Sequence, residues 1–314
     1  MILIIEKRKG NHMKKVAFFT ILLVCLLLAA CSSEETKTDS SKEESSTFTY
    51  ESEQGPVEVP KEPKRIVALT NGPNVISLEG KLVGIDEWTE MNPLFTDKLK
   101  DVEVVGDDQL EKIIELDPDL IIAGSQTKNL DKMKEIAPTV AFTWGKLNYI
   151  DQQIEIGKLL NKEKEAKEWA DDFQERAATI GEKIRKKIGD DATVSVIETG
   201  QKELYVFGNN YARGSEILYQ AMKLNMPDAV KDNALETGIH VISPEAVGDF
   251  TGDYLVLSKN PDVDNSFMET DTWKNIPAVK NGHVIEINSK ESTYSDPVTL
   301  EHLLETFESG FLGE

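Results

Sequence analysis

Cysteine is nearly missing from this chain. Only Cys25 and Cys31 occur in 314 residues, and both lie near the N-terminus. A domain folded from residues 48–314 therefore has no disulfide, no thiolate metal centre and no cysteine nucleophile. Basic charge is also short. The 35 Lys and Arg face 56 Asp and Glu, a formal net charge of −21. Residues 1–30 contain five basic side chains and one acid, so the rest of the chain stands at about −25. That balance argues against nucleic-acid binding and against polybasic adhesion to anionic lipid. Histidine is sparse, and His240, His283 and His302 are widely separated in sequence. No GxSxG, P-loop or HExxH pattern occurs.

Long hydrophobic runs are scarce too. Lys14 and Lys15 precede VAFFTILLVCLLLAA, residues 16–30. This run is short for a membrane span and fits the apolar region of a secretory signal. It ends in Leu28-Ala29-Ala30-Cys31, which resembles a lipobox. Residues 1–30 are therefore expected to be a lipoprotein signal peptide, with Met1 or Met13 as its start. Cys31 is the expected lipidation site and first mature residue, and Cys25 leaves with the signal. The other reading is an ordinary signal peptide that happens to end near a cysteine. One acyl chain binds a membrane only marginally, so a stable anchor needs the several chains of a lipoprotein. Residues 32–46, SSEETKTDSSKEESS, contain no apolar side chain. They cannot bury enough surface to fold, so 31–47 reads as a flexible tether.

About 267 residues remain from Phe48 onward, enough for two lobes. From Lys64 strands and helices alternate: KRIVAL (64–69), LVGI (82–85), LEKIIEL (110–116), DLIIAGS (119–125), a short helix over 130–136 and TVAFTW (139–144). That rhythm predicts a mostly parallel sheet covered on both faces. A helix is expected over 150–160. Over 163–188 the apolar positions Ala166, Trp169, Phe173, Ala177, Ile180, Ile184 and Ile188 recur at steps of three and four. They predict one helix of 26 residues, roughly 39 Å long. Gly181 inside it costs about 1 kcal/mol against alanine. Strands resume with TVSVIET (193–199), LYVF (204–207), GDYLVLS (252–258) and GHVIEI (282–287). Helical pieces are expected over 272–279 and 297–307. The expected fold class is α/β: two Rossmann-like lobes, 48–160 and 190–314, joined by a helix at 161–189, with a cleft between them.

Taken in order, the lipobox, PKRIVAL, LVGI, VGDDQLEKIIELDPDLIIAG and WKNIPAVKNGHVIEI resemble the substrate-binding lipoproteins of ABC importers for iron–siderophore complexes. The resemblance covers residues 48–312 and implies the class III periplasmic-binding-protein fold, with ligand held between rigidly joined lobes. It also implies anchoring at the outer face of the cytoplasmic membrane of a Gram-positive cell, a membrane permease as partner, and a monomer. The stretch YVFGNNYARGSEILYQ (205–220) resembles the corner found in ferric hydroxamate binders. By that resemblance Tyr205, Tyr211 and Arg213 line the cleft, joined by Trp144, Tyr294 and Trp88. Relatives of this type often carry tryptophan where Tyr211 stands. Glu111 and Glu245 match the family's permease-docking glutamates.

A chelated ferric hydroxamate has its iron already saturated, so no protein–metal bond and no cofactor is expected. Arg213 would give forked hydrogen bonds to hydroxamate oxygens, and the rings would cover the linkers. Each residue also has a plainer reading. Arg213 could pair with Glu216, Tyr211 could staple onto Ile217 or Leu218, Tyr205 could face the sheet's cover, and Trp144 could lid the core. Glu111 and Glu245 could simply favour helix starts. Trp169 and Trp273 read as structural. Other ligands stay open: haem, with His240, Met268 or Tyr294 as axial candidates; a cobalamin; or a catecholate siderophore, which would want more basic residues than Arg213 alone. A surface glycosidase would need Glu111 and Glu245 about 5–10 Å apart.

Overall fold

The computed structural model describes residues 46–313. The signal peptide, Cys31 and nearly all of the tether lie outside the described residues.

β1 (Thr47–Ser52) and β2 (Gly55–Pro60) pair as an antiparallel hairpin that the sequence reading did not separate from the tether's end. β3 (Ile66–Ala68), β4 (Leu82–Ile85), β5 (Glu103–Val104), β6 (Leu120–Gly124) and β7 (Thr139–Phe142) form a wholly parallel sheet in the order β5-β4-β3-β6-β7. β6 and β7 are buried along almost their whole length. Covered on both faces, such strands read as unbroken apolar runs rather than alternating ones.

The second sheet contains β8 (Val194–Thr199), β9 (Leu204–Phe207), β10 (Ile239–Ile242), β11 (Tyr254–Lys259) and β12 (Val284–Asn288), in the order β10-β9-β8-β11-β12. β9 is antiparallel to β8 and β10, and the other pairings are parallel. The short link 200–203 explains the reversal, because a parallel return needs a crossover of about a dozen residues.

The connecting helix spans Glu163–Ile188, as its periodicity predicts. It belongs to both cores. Ala166 packs with Ile156 and Leu159 under the first sheet. Phe173, Ala177, Ile180 and Ile184 pack with Val196, Leu303 and Phe307 under the second. Gly181 has a reason the sequence did not supply: a Cβ there would lie 2.5 Å from the Met222 carbonyl oxygen.

The terminal helix runs over Pro297–Leu312, five residues beyond the expected end. Asp296 caps it by accepting from the N–H groups of Val298 and Thr299, and Gly313 closes it at φ 71°. It packs on the connecting helix and on the helix Gly72–Ser77 of the first lobe. Its Glu301 accepts from Arg176 and from the Trp169 indole. Two helices, not one, therefore tie the lobes. The single helical piece expected over 272–279 is two, Asp271–Lys274 and Pro277–Lys280, because Pro277 cannot continue a helix begun before it.

Candidate functional site

The corner after β9 departs from ordinary turn geometry. Ala212, Arg213 and Gly214 take φ of 62°, 58° and 73°, three left-handed residues in succession. For Ala212 and Arg213 this costs on the order of 1 kcal/mol or more each. The segment is held in place from outside. The Ala212 N–H donates to Glu216 Oε1 at 2.8 Å, and the Arg213 N–H donates to the Ser292 carbonyl at 2.9 Å. Gly214 is required twice, by its φ and because a Cβ would meet the Phe307 ring at 2.5 Å. Beyond it, Glu216–Ala221 winds as a π-helix, with the Met222 N–H reaching back to the Ile217 carbonyl. Such wide turns are rare and concentrate at functional sites.

This backbone aims Arg213 sideways onto β8. Its Nε donates to Glu198 Oε2 at 2.7 Å and its Nη2 to Glu198 Oε1 at 3.0 Å. The Ser258 hydroxyl donates to Glu198 Oε2 at 2.7 Å. The guanidinium carbon lies 5.1 Å from the Phe207 ring centroid. This corrects two expectations. Arg213 does not pair with Glu216, which is buried as the clamp on Ala212. Nor is its fork turned on a ligand, since Nε and Nη2 are engaged by Glu198. Nη1 makes no hydrogen bond among the described residues.

A file of rings runs outward from Arg213. Phe207 and Tyr211 lie 6.0 Å apart between centroids, and Tyr211 meets Trp144 edge to face at 5.4 Å. Trp144 stands just past β7 of the first lobe and is 78 % exposed. Trp88, 65 % exposed, follows β4 of the same sheet. Glu198, Ser258 and Ser292 lie at or just past the carboxyl ends of β8, β11 and β12. Open α/β sheets bind ligands at these strand ends.

Tyr205 and Tyr294 have their hydroxyls engaged within the protein. The Tyr205 hydroxyl donates to Glu203 at 3.1 Å, and its ring covers Gly200. The Tyr294 hydroxyl donates to Asp86 Oδ1 at 3.1 Å and lies 3.3 Å from Thr89 Oγ1. Burial and the Asp86 charge push the Tyr294 phenol well above its usual range. Its ring packs with Ile76 and Phe95 of the first lobe, so Tyr294 is a strut between lobes.

Residues 67–291 match the family model described as Periplasmic binding protein. The chain belongs to that family. Its members bind a substrate rather than transform one. The iron(3+)-hydroxamate-binding protein FhuD of Bacillus subtilis (strain 168) is 37 % identical over 269 residues, 83 % of this chain and 85 % of that protein. Among solved structures, the FhuD protein from S. pseudintermedius superposes with a TM-score of 0.77 at 35 % identity, over 85 % of this chain and 99 % of that one. FhuD2 from Staphylococcus aureus with bound ferrioxamine B gives 0.74 at 32 % identity, over 80 % and 99 %.

In this periplasmic binding protein the remaining candidates separate. Glu111 is exposed in the first turn of the helix Leu110–Glu115, which follows β5 at one sheet's edge. Glu245 is exposed in the turn Pro244–Ala246, which follows β10 at the other sheet's edge. The Ser243 hydroxyl holds the Glu245 carboxyl below its usual range. The three axial candidates for haem are scattered. His240 lies tilted against Phe250, Met268 packs at the Trp273 core, and Tyr294 is bound to Asp86. A concavity of about 620 Å³ lies between β12 and the terminal helix. Val284 at the amino end of β12 lines it, and none of the residues of the ring file does.

Sequence reasoning missed Glu198, Phe207 and Asp86. For Glu198 a signal was present: it is the one charged residue in VSVIET, a strand buried at every position. A charge retained in such a strand has a partner.

Proposed function

We propose that this protein is a lipid-anchored substrate-binding subunit of an ABC importer, taking up ferric hydroxamate siderophores. The observation that carries the reading is the file Trp144–Tyr211–Phe207–Arg213, built from both lobes, with Arg213 paired to Glu198 near the carboxyl end of β8. Relatives named for ferric hydroxamates, and one structure holding ferrioxamine B, support it.

The chemistry fits. A hexadentate chelate presents a compact shell of hydroxamate oxygens joined by aliphatic linkers. Trp144, Tyr211 and Trp88 offer aromatic surface to the linkers. Arg213 offers hydrogen bonds from Nη1 to oxygens that carry partial negative charge. Tyr205 and Tyr294 frame the site. The iron is cargo and needs no protein ligand. Cys31 carries the lipid, which places the folded part outside the cytoplasmic membrane. Glu111 and Glu245 meet the permease from a monomer, and no nucleic acid takes part.

The test is tryptophan quenching of residues 46–314 with ferrioxamine B, haem and a ferric tricatecholate. Saturable quenching by ferrioxamine B at the lowest concentration is expected, since Trp144 and Trp88 are solvent-facing. Tight quenching by haem with none by ferrioxamine B would overturn the reading.

A further inference from the structure

The pairing of Arg213 changes what the site can recognise. A lone guanidinium in a cleft favours anionic ligands. Here the guanidinium is matched by Glu198 through two hydrogen bonds, with side-chain exposures of 18 % and 10 %. The pair is built into the fold. Ser258 fixes one carboxylate oxygen, and the Ser292 carbonyl fixes the Arg213 backbone. The left-handed φ of Arg213 then sets where its side chain leaves the chain.

Two nearby lysines are already matched by acids. Lys146 is paired with Glu53, and Lys290 with Asp262. Two acids at the site, Asp86 and Glu203, accept from the hydroxyls of Tyr294 and Tyr205. Neither has an ion-pair partner among the described residues. Lys202, exposed beside Glu203, offsets one of them. The site is therefore neutral to acidic, although an arginine stands at its centre.

We propose that Glu198 makes the cleft a charge filter, one that accepts neutral and cationic ferric trihydroxamates and disfavours anionic iron chelates. This rests on the hydroxamate reading above and sharpens it. Glu198 is a specificity residue acting through Arg213: it cancels the charge of the guanidinium while leaving Nη1 to donate. A carboxylate-bearing chelate would meet Glu198, Asp86 and Glu203 with only a shared guanidinium in return. At separations of about 8 Å in a half-wet site, one such charge is worth roughly three- to tenfold in affinity.

The experiment uses three ferric trihydroxamates with one chelating core, ending in an ammonium, an acetamide or a carboxylate. Dissociation constants are read by tryptophan quenching of the wild-type protein and of Glu198→Gln, at low and high salt. In the wild type the ammonium and acetamide forms should bind about three- to tenfold more tightly than the carboxylate form, with the gap narrowing in high salt. In Glu198→Gln the gap should vanish or reverse, because Arg213 is then unmatched. Equal binding of all three by the wild type overturns the charge filter while leaving the hydroxamate reading intact. An unchanged preference in a folded Glu198→Gln removes Glu198 from the role. No binding of any of the three removes the hydroxamate reading, and the filter with it. The wild-type series decides the point alone if Glu198→Gln fails to fold.

Discussion

The indole of Trp144 meets the ring of Tyr211 edge to face, with centroids 5.4 Å apart and planes at 70°. One ring follows β7 of the first sheet and the other follows β9 of the second, so the contact bridges the lobes. Trp144 is mostly exposed and contributes little to either core. Trp144→Ala should therefore leave the melting temperature nearly unchanged. It should weaken ferrioxamine B binding by about 1–2 kcal/mol, the scale of one aromatic contact with its buried area. Calorimetric titration beside a thermal melt checks both halves.

Arg213→Ala should behave differently. It strands the Glu198 carboxylate in a buried site with only Ser258 as partner. Breaking such a pair costs about 2–4 kcal/mol, so the melting temperature should fall together with affinity. Arg213→Ala combined with Glu198→Gln should recover most of the stability and none of the affinity. Chemical denaturation of the single and double variants separates the two effects.

Gly181→Ala should destabilise the protein even though alanine is the better helix former. The added methyl would press on the Met222 backbone, 2.5 Å from its oxygen and 2.6 Å from its Cα. Backbone cannot rotate away as a side chain can, so a loss of about 1–3 kcal/mol is expected, net of the propensity gain. Urea denaturation at one pH suffices to measure it.

Stability should fall as pH rises from about 4 to 6. Burial raises the Asp296 carboxyl to about 6, against an unfolded value near 4. In that window the folded state holds the proton that the unfolded state has released. Stability is then greatest below the window and is lost through it, by an amount on the order of 2–3 kcal/mol. Buried Glu216 is shifted the same way and adds the same sign. Asp296→Asn keeps a good helix cap and removes the Asp296 share of the slope. Melts across pH 4–7 should show a flatter profile in that variant.

The elements that depend on periodicity were legible in the sequence. The connecting helix carries its own 3.6-residue stripe, and β6, β7 and β8 announce themselves as apolar runs. The hairpin at β1 and β2 was not, because its polar and apolar residues blend into the tether. Of the candidate site, one grouping was legible: the rings at 144 and 211 do meet. What Arg213 does there was not. Its partner lies 15 residues back in another strand, and three left-handed residues decide its direction. Neither fact has a local signature. The struts were hidden for the same reason: Tyr294 and Asp86 are 208 positions apart.

Glu111 and Glu245 give the prediction that concerns transport rather than binding. Each is exposed, and each lies in a turn after the outermost strand of its own sheet. Neither has an ion-pair partner among the described residues, and neither packs in a core. Replacing both with alanine should change the melting temperature by less than about 0.5 kcal/mol equivalent, as surface substitutions do. Siderophore affinity should also stay at the wild-type level, because the ring file and the Arg213–Glu198 pair are untouched. If the two carboxylates dock on a basic permease surface, as proposed above, uptake of radiolabelled ferrioxamine B by cells should fall. Charge reversal to lysine should depress uptake further than alanine does, and uptake equal to wild type in the double variant would remove both residues from docking. A change in affinity instead would place one of them at the ligand, contrary to its edge-strand position.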